Sequence, residues 1–299
     1  MNELQYNNCQ DEIARCTRLY KDFSDAAAFV SAVCQVIYNY FKEHPVTPIP
    51  AVDEEEATVR MREGKSLDLH PSLRTEDIVS LLKELSAAML KVNPKLKDIV
   101  NQLNERFDSF KTDSPELVTK EKVFELQDSL IKETELEEDL ATFLFSFMLF
   151  SFYRQFLIPS AEVLRTDLWE GGNCPLCGEK PHYGMLRAED GAKMLACWLC
   201  GTEWSHTRVK CPFCDNTEQE DLGYFTVEGD EKVRVNYCKK CCQYYKLIDV
   251  REFHADGDLT LAIHNLASLT HDLLARREGF TPGSGLEWLN KDEAIEAQD

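Results

Sequence analysis

The sequence predicts a multi-domain α+β protein with an all-α N-terminal domain, two small β-rich metal modules and a C-terminal helix. Apolar residues recur at helical intervals through the first half, and four Cys-x-x-Cys pairs lie between Cys174 and Cys241. A chain of 299 residues is long enough for a large domain together with smaller ones. We predict domains at residues 1–168, 169–209, 210–256 and 257–299.

The composition is that of a folded and strongly acidic protein. The apolar fraction of 43% and the charged fraction of 29% lie close to the globular average. A formal net charge of -20 repels phosphate backbones, so we do not expect nucleic acid to be a partner. The first residues show no basic segment followed by an apolar core, so we expect no secretory signal and a cytoplasmic protein.

The first half is predicted to hold five to seven amphipathic helices, bounded by capping residues and prolines. The most apolar run, from Leu140 to Tyr153, is shorter than the roughly 20 residues that cross a membrane. We therefore predict a buried core helix and no membrane insertion. The predicted helices lie around Glu12 to Tyr20, from Ser24 to His44, from Thr75 to Met89, from Asn93 to Phe110, after Ser114, and up to Pro159.

Two further segments are predicted from composition. Prolines and an acidic run between Pro45 and Leu73 predict a long, partly ordered connection. Beyond Trp169, alternating stretches at Tyr224–Val227 and Lys232–Tyr237 favour strands. From Leu259 to Glu278 helical periodicity returns, with basic residues in the last turn, and we expect one long helix there.

The four cysteine pairs predict two metal sites. Two residues between cysteines form a tight turn that aims both sulfurs at one ion, and such arrays in a reducing compartment indicate metal or redox chemistry rather than structural disulfides. Four thiolates leave no open coordination position, which is typical of a structural site and not of an enzyme. Iron and zinc both suit four thiolates. Pairing in sequence order gives Cys174, Cys177, Cys197 and Cys200 for the first site, and Cys211, Cys214, Cys238 and Cys241 for the second.

The residue after each second cysteine distinguishes the two sites. Gly178 and Gly201 suit the positive φ that these turns often need. Asp215 and Cys242 occupy the same positions in the second site, where Asp215 tolerates that conformation moderately well and Cys242 less readily. We therefore expect the second site to be more strained or more labile.

Several other residues are assigned no chemistry from the sequence. Cys9, Cys16 and Cys34 lie in helical sequence and are expected to be small buried apolar residues. His182 and His206 are expected to lie at the surface or beside a metal site rather than to bind the ion. The aromatic residues Trp198, Trp204 and Phe213 are expected to cover the thiolates, with an exposed role in binding a partner as the alternative.

At these residues the chain resembles the FdhE family, the formate dehydrogenase accessory proteins. The resemblance rests on CPLCG at Cys174, the string MLACWLCGTEWSHTRVKCPFC from Met194, YCKKCCQYYKLIDV from Tyr237, and NLASLTHDLLARREGF from Asn265. It implies a cytoplasmic, non-catalytic maturation factor that acts on the catalytic subunit of a formate dehydrogenase. It also implies two iron ions in rubredoxin-like sites, with zinc as the possible substitute.

The sequence is compatible with two functional hypotheses. In the first, the metal-stabilised double ribbon binds the client, and Glu203, Trp204, Arg208 and Lys210 are candidate contact or metal-supporting residues. In the second, the chain is a thiol redox or persulfide-handling enzyme that uses one Cys-x-x-Cys pair, with Cys242 beside Cys241 as its best feature. A homodimer is compatible with either hypothesis.

Overall fold

The computed structural model describes residues 3–187, 189–250 and 260–283. Seven of its α-helices lie in the first half of the chain, which confirms the helical N-terminal region. Helix α7 is the most deeply buried of them. The seven helices are α1 (Glu3–Leu19), α2 (Ser24–Glu43), α3 (Glu54–Arg62), α4 (Thr75–Val92), α5 (Lys97–Asp113), α6 (Lys120–Glu133) and α7 (Glu138–Glu162).

Helix α7 is the core of the helical region. Of the described helices it alone is long and apolar enough to cross a membrane, but 78% of its most apolar window is buried within the protein. Phe152 packs edge-to-face against Phe41 of α2 with ring centroids 5.2 Å apart. The prediction that the helix ends at Pro159 was wrong, since it continues to Glu162 with the proline inside it. Pro159 has no N–H to donate to the carbonyl four residues before it, and the helix ends three residues later.

The connection between α2 and α4 is more ordered than the sequence predicted. Helix α3 begins within the acidic run, where the Asp53 side chain accepts hydrogen bonds of 3.0 Å from the amides of Glu55 and Glu56. Acidic residues in a first turn favour the helix dipole, so the run begins a helix rather than preventing one. Farther along, the amides of Leu67 and Leu69 donate to carbonyls within the first Cys-x-x-Cys turn, at 2.8 and 3.1 Å.

The second half of the chain forms one large mixed sheet. Its strands are β3 (Pro181–Leu186), β4 (Lys193–Cys197), β5 (Glu203–Ser205), β6 (Leu222–Val227), β7 (Asp230–Cys238), β8 (Gln243–Asp249) and β9 (Thr281–Pro282), after a small separate pair of β1 (Leu73–Arg74) and β2 (Leu117–Val118). The order β5-β4-β3-β8-β7-β6 joins the antiparallel strands of the two cysteine modules through a parallel pairing of β3 with β8. Both strand predictions are confirmed. The domain boundaries within this region stay predictions.

The two cysteine modules also touch at their turns. Gly172 lies just before the first Cys-x-x-Cys turn, and Pro212 lies within the third. A Cβ added to Gly172 would be 2.0 Å from the carbonyl oxygen of Pro212. This contact brings the backbones of the two modules together where only glycine fits.

We expect Gly172→Ala to destabilise the metal-loaded protein by about 2 kcal/mol, because the added methyl group forces these backbones apart. Chemical unfolding of the variant and the wild type would measure this difference. An unchanged unfolding free energy would show that the close approach contributes nothing.

The C-terminal region forms two helices where the sequence predicted one. These are α8 (Thr260–Ala267) and α9 (Leu269–Arg277), and they are separated at Ser268. The Ser268 hydroxyl donates to the His264 carbonyl at 2.8 Å, and its own carbonyl accepts from the buried amine of Lys246 at 3.3 Å. The helix breaks where these polar groups meet β8. The start of the predicted helix at Leu259 lies outside the described residues.

Candidate metal centres

The first cysteine cluster lies between the helical region and the sheet. Cys174 and Cys177 come from the turn before β3, while Cys197 ends β4 and Cys200 follows it. All four sulfurs lie within 4.8 Å of one another, and all four residues are buried. Adjacent sulfurs are separated by 3.6 Å for Cys174 and Cys200, and by 3.5 Å for Cys177 and Cys197.

The second cluster has the same arrangement but is closer to the surface. Cys211 and Cys214 come from the turn after β5, while Cys238 ends β7 and Cys241 follows it in the turn before β8. The sulfurs of Cys211 and Cys241 are 3.7 Å apart, and those of Cys214 and Cys238 are 3.8 Å apart. Cys214 and Cys241 are half-buried, whereas the other two are buried.

These separations fit a tetrahedral ion. A metal bound at about 2.3 Å from each of four sulfurs separates those sulfurs by about 3.8 Å. Backbone amides also donate hydrogen bonds to the cluster sulfurs. The Leu199 N–H donates to the Cys197 sulfur and the Phe213 N–H to the Cys211 sulfur, both at 3.4 Å. The clusters could therefore each hold one metal ion with all positions filled by thiolates.

The thiols also have the electrostatics of a cation site. Hydrogen bonds with Cys174 and the other two partners, together with burial, hold the pKa of Cys177 well above its ordinary value. Burial raises the pKa of Cys211 to about 11. Burial acts on Cys200 too, but hydrogen bonds from neighbouring thiols outweigh it and lower its pKa. Four thiolates can therefore coexist only beside a cation, and metal binding must release protons.

The buried Lys193 contacts the chain segment that leads into the second cluster. The Lys193 amine is 3.4 Å from the carbonyl oxygens of both Arg208 and Lys210, in the segment that leads to Cys211. Burial lowers the pKa of Lys193 to about 7, and the nearby Cys211 opposes that shift. A cationic amine here would offset part of the negative charge of a four-thiolate site.

The backbone after each second cysteine is left-handed, as the spacing predicted. The φ angles of Gly178 and Gly201 are 76° and 74°, and those of Asp215 and Cys242 are 57° and 56°. A non-glycine residue in this region costs on the order of 1 kcal/mol. Both such residues belong to the second site, which is also the more exposed one.

We expect the second site to lose its metal first when a chelator is added stepwise. The backbone strain at Asp215 and Cys242 alone corresponds to a factor of about ten in the equilibrium constant for metal binding at the second site. Alkylation followed by mass spectrometry should label Cys214 and Cys241 before Cys174 and Cys177, with exposed Cys242 labelled even in the metal-loaded protein. Simultaneous labelling of both clusters would contradict this expectation.

The structure revises the expectations for residues near the clusters. His182 and His206 belong to neither cluster and are not at the surface, and burial lowers the pKa of each to about 4. Trp204 is fully buried and donates from Nε1 to the Gly171 carbonyl at 3.2 Å, so it cannot contact a client. Trp198 is buried against Phe124 of α6, so it is not an exposed contact for a partner, and its cover of the thiolates stays a prediction. Arg208 is exposed.

The structure also shows two groupings that sequence reasoning missed. Cys9, Cys16 and Cys34 are buried as expected, but the sulfurs of Cys9 and Cys34 lie 2.9 Å apart between α1 and α2. Cys16 lies beside Glu12 and His264, whose Nε2 is 2.7 Å from the Glu12 carboxylate and whose Nδ1 is 2.8 Å from the Tyr20 hydroxyl. Both imidazole nitrogens therefore have partners, and this grouping fastens α8 to α1.

Comparison with known proteins identifies the family. An FdhE homologue of Aquifex aeolicus is 31% identical over 228 residues, which cover 71% of this chain and 78% of that protein. The chain belongs to the FdhE family. Sequence models of the FdhE central domain and the FdhE C-terminal domain match residues 173–208 and 209–287, so both cysteine clusters lie within FdhE-specific sequence.

Other FdhE proteins match over shorter lengths. The homologue of Pseudomonas aeruginosa is 35% identical over 117 residues, which cover 36% of each chain. The match to the Pectobacterium carotovorum homologue is 32% identical and spans 39% of that protein. The crystal structure of the FdhE protein from Pseudomonas aeruginosa aligns over 95% of both chains with a TM-score of 0.60 and 19% identity. That structural similarity shows that the fold extends over the helical region as well.

Proposed function

We propose that this chain is a cytoplasmic, non-catalytic accessory protein that binds the catalytic subunit of a formate dehydrogenase during its maturation. The observation that carries the proposal is a pair of closed four-cysteine clusters within a chain of the FdhE family. A site filled by four thiolates offers no open position for a substrate. Its role is then to hold together modules too small to fold on their own apolar core.

In this proposal the eight clustered cysteines bind two iron ions, and zinc can take their place. Metal binding would fix the Cys-x-x-Cys turns, and the parallel pairing of β3 with β8 would turn the two modules into one rigid platform. The net charge of -20 favours a client with a basic surface. Arg208 and Val209, exposed in the segment between the clusters, are the part of this platform best placed to contact it, with the Arg208 guanidinium pairing with a carboxylate within that otherwise basic surface.

The proposal is tested by co-expression with a formate dehydrogenase catalytic subunit and purification without oxygen. We expect the two chains to copurify and the accessory chain to contain two metal ions, with the visible spectrum distinguishing iron from zinc. Arg208→Glu should lose the client while keeping its metal, and Arg62→Glu, which reverses an exposed charge on α3, should keep both. Failure of the wild-type chain to retain the client would overturn the proposal.

The redox alternative makes opposite predictions. A thiol or persulfide enzyme should work without metal and form a reversible disulfide within one pair. The arrangement does not favour it, because each pair shares its cluster with a second pair and Cys242 points its sulfur toward the Lys239 carbonyl, 3.5 Å away.

A further inference from the structure

A cavity of about 380 Å³ has none of the clustered cysteines in its lining. It is enclosed by the start of α2, the start of α7, helices α8 and α9, and strands β3, β8 and β9. This volume falls within the roughly 300–1,000 Å³ of known ligand sites. Its walls are mostly apolar, with Phe23, Phe143 and Leu266 among the buried residues that line it.

The mouth of the cavity carries an exposed apolar pair. Leu269 and Leu273 lie one helical turn apart on α9, line the cavity, and are 49% and 50% exposed. Residues at this spacing form one continuous face. Large apolar side chains that remain exposed beside an apolar cavity mark a binding surface.

Two polar atoms in the wall lack a hydrogen-bond partner within the described part of the chain. They are Oδ1 of Asn265, a residue only 6% exposed, and the buried Nε of Arg276. Buried polar groups are normally paired, so an unmatched acceptor and an unmatched donor indicate that a ligand supplies the partners. A peptide unit offers one N–H donor and one carbonyl acceptor, and so matches this pair.

The charge at the rim restricts the ligand further. Glu137 and Asp139 line the cavity beside the start of α7. Desolvation raises the pKa of Asp139 to about 6, against the attraction of Arg276. At neutral pH these carboxylates repel a fatty acid or an acidic peptide and attract a basic residue.

The chain's own C-terminal tail is the nearest competitor for this cavity. Pro282 lines the cavity, and the sequence continues with Leu286, Trp288 and Leu289. Residues 284–299 carry five acidic side chains and one lysine, however, which gives a net charge of -4. The acidic rim therefore favours a segment from outside the chain.

We propose that this cavity binds an apolar peptide segment, flanked by basic residues, on a partner protein. Apolar side chains of the segment fill the cavity and cover Leu269 and Leu273, while a peptide unit pairs with Asn265 and Arg276. Basic flanking residues approach Glu137 and Asp139. If the proposed function holds, the partner is the formate dehydrogenase catalytic subunit, and this cavity binds a segment that is exposed before that subunit has folded.

The test uses the full metal-loaded chain and a fluorescent peptide with a leucine- and phenylalanine-rich core and lysines at one end. We expect saturable binding by fluorescence anisotropy, weakened at least about tenfold by Leu273→Glu. Leu117→Glu, at an equally exposed leucine on β2, should leave the affinity unchanged. Glu137→Lys should weaken this peptide and strengthen one flanked by glutamates, whereas Glu135→Lys, at an exposed position outside the cavity, should do neither.

Three outcomes would overturn the cavity proposal. The first is that the wild type shows no saturable binding of the peptide. The second is that Leu117→Glu and Leu273→Glu lose the same amount of peptide affinity. The third is that Trp288→Ser binds the peptide more tightly than the wild type, which would show that the tail occupies the site. Client copurification separates this proposal from the proposed function. A client retained without peptide binding rejects only the cavity proposal, and peptide binding without a client rejects only the accessory role.

Discussion

Cys177→Ala is expected to remove the metal from the first cluster and unfold the module around it. Cys177 is 1% exposed, and its sulfur lies 3.5 Å from that of Cys197 and 3.6 Å from that of Cys200. Binding at a structural four-ligand site contributes roughly 10–16 kcal/mol, which is comparable to the entire stability of a typical domain. Losing one thiolate therefore removes more free energy than the small module can replace.

The unfolding should extend beyond the turn itself. The amides of Leu67 and Leu69 donate to carbonyls of Pro175 and Leu176, so the α3 connection loses its hydrogen-bond partners when the turn is disordered. Hydrogen exchange should then show loss of protection at both amides, together with β3 and β4. The metal content should fall from two ions to one.

Cys242→Ala is the matched control for this experiment. Cys242 is exposed, belongs to neither cluster, and lies next to a ligand in sequence. It should keep both metal ions and the protection of β3. A Cys177→Ala protein that retained full metal content and the same exchange pattern would contradict the assignment of the first cluster.

The cysteine turns could be predicted from the sequence because their geometry is local. Two residues between cysteines determine the turn, and the order of the pairs determined which sulfurs share a cluster, as the structure shows. Even the left-handed backbone at Asp215 and Cys242 followed from the glycines at the equivalent positions of the first site. Each turn and each left-handed residue is specified by a segment of only a few residues, and the turns that share a cluster follow one another along the chain.

The joining of the two modules could not be predicted in the same way. Tyr183 pairs with Lys246 across more than sixty intervening residues, and nothing in either strand alone specifies a parallel partner. The cavity likewise depends on α2, α7 and α9 meeting, which is a property of tertiary packing. Helix α3 is different, because Asp53 before three glutamates is a local signal for a helix start, although the prolines and charges around it predicted a partly ordered connection.

Lys246 is the largest departure from the sequence interpretation. In the sequence it forms part of a motif of the family resemblance and shows no sign of burial, yet its amine is fully buried beneath the C-terminal helices. The amine donates to the Asp272 carboxylate and, at 2.6 Å, to the Asn265 carbonyl. Asp272 also accepts from the Tyr244 hydroxyl at 2.8 Å. This group joins β8 to α8 and α9.

Asp272→Ala is expected to destabilise the protein by about 3–5 kcal/mol, because it leaves the Lys246 charge buried without a counter-ion. Urea unfolding of the metal-loaded protein would measure the loss. The double variant Lys246→Met with Asp272→Leu removes both charges and should recover most of it. Equal losses in the single and double variants would show that the ion pair itself, rather than the unpaired charge, provides the stability.

The pH dependence of Asp272→Ala gives a second signature. Burial already lowers the pKa of Lys246, and Asp272 opposes that shift, so removing Asp272 should lower the pKa further. At pH values between the pKa of Lys246 in the folded variant and its unfolded value of about 10.4, the unfolded chain binds more protons than the folded chain. The stability of Asp272→Ala should therefore rise with pH across this window more steeply than that of the wild type, and the double variant should lack the added slope.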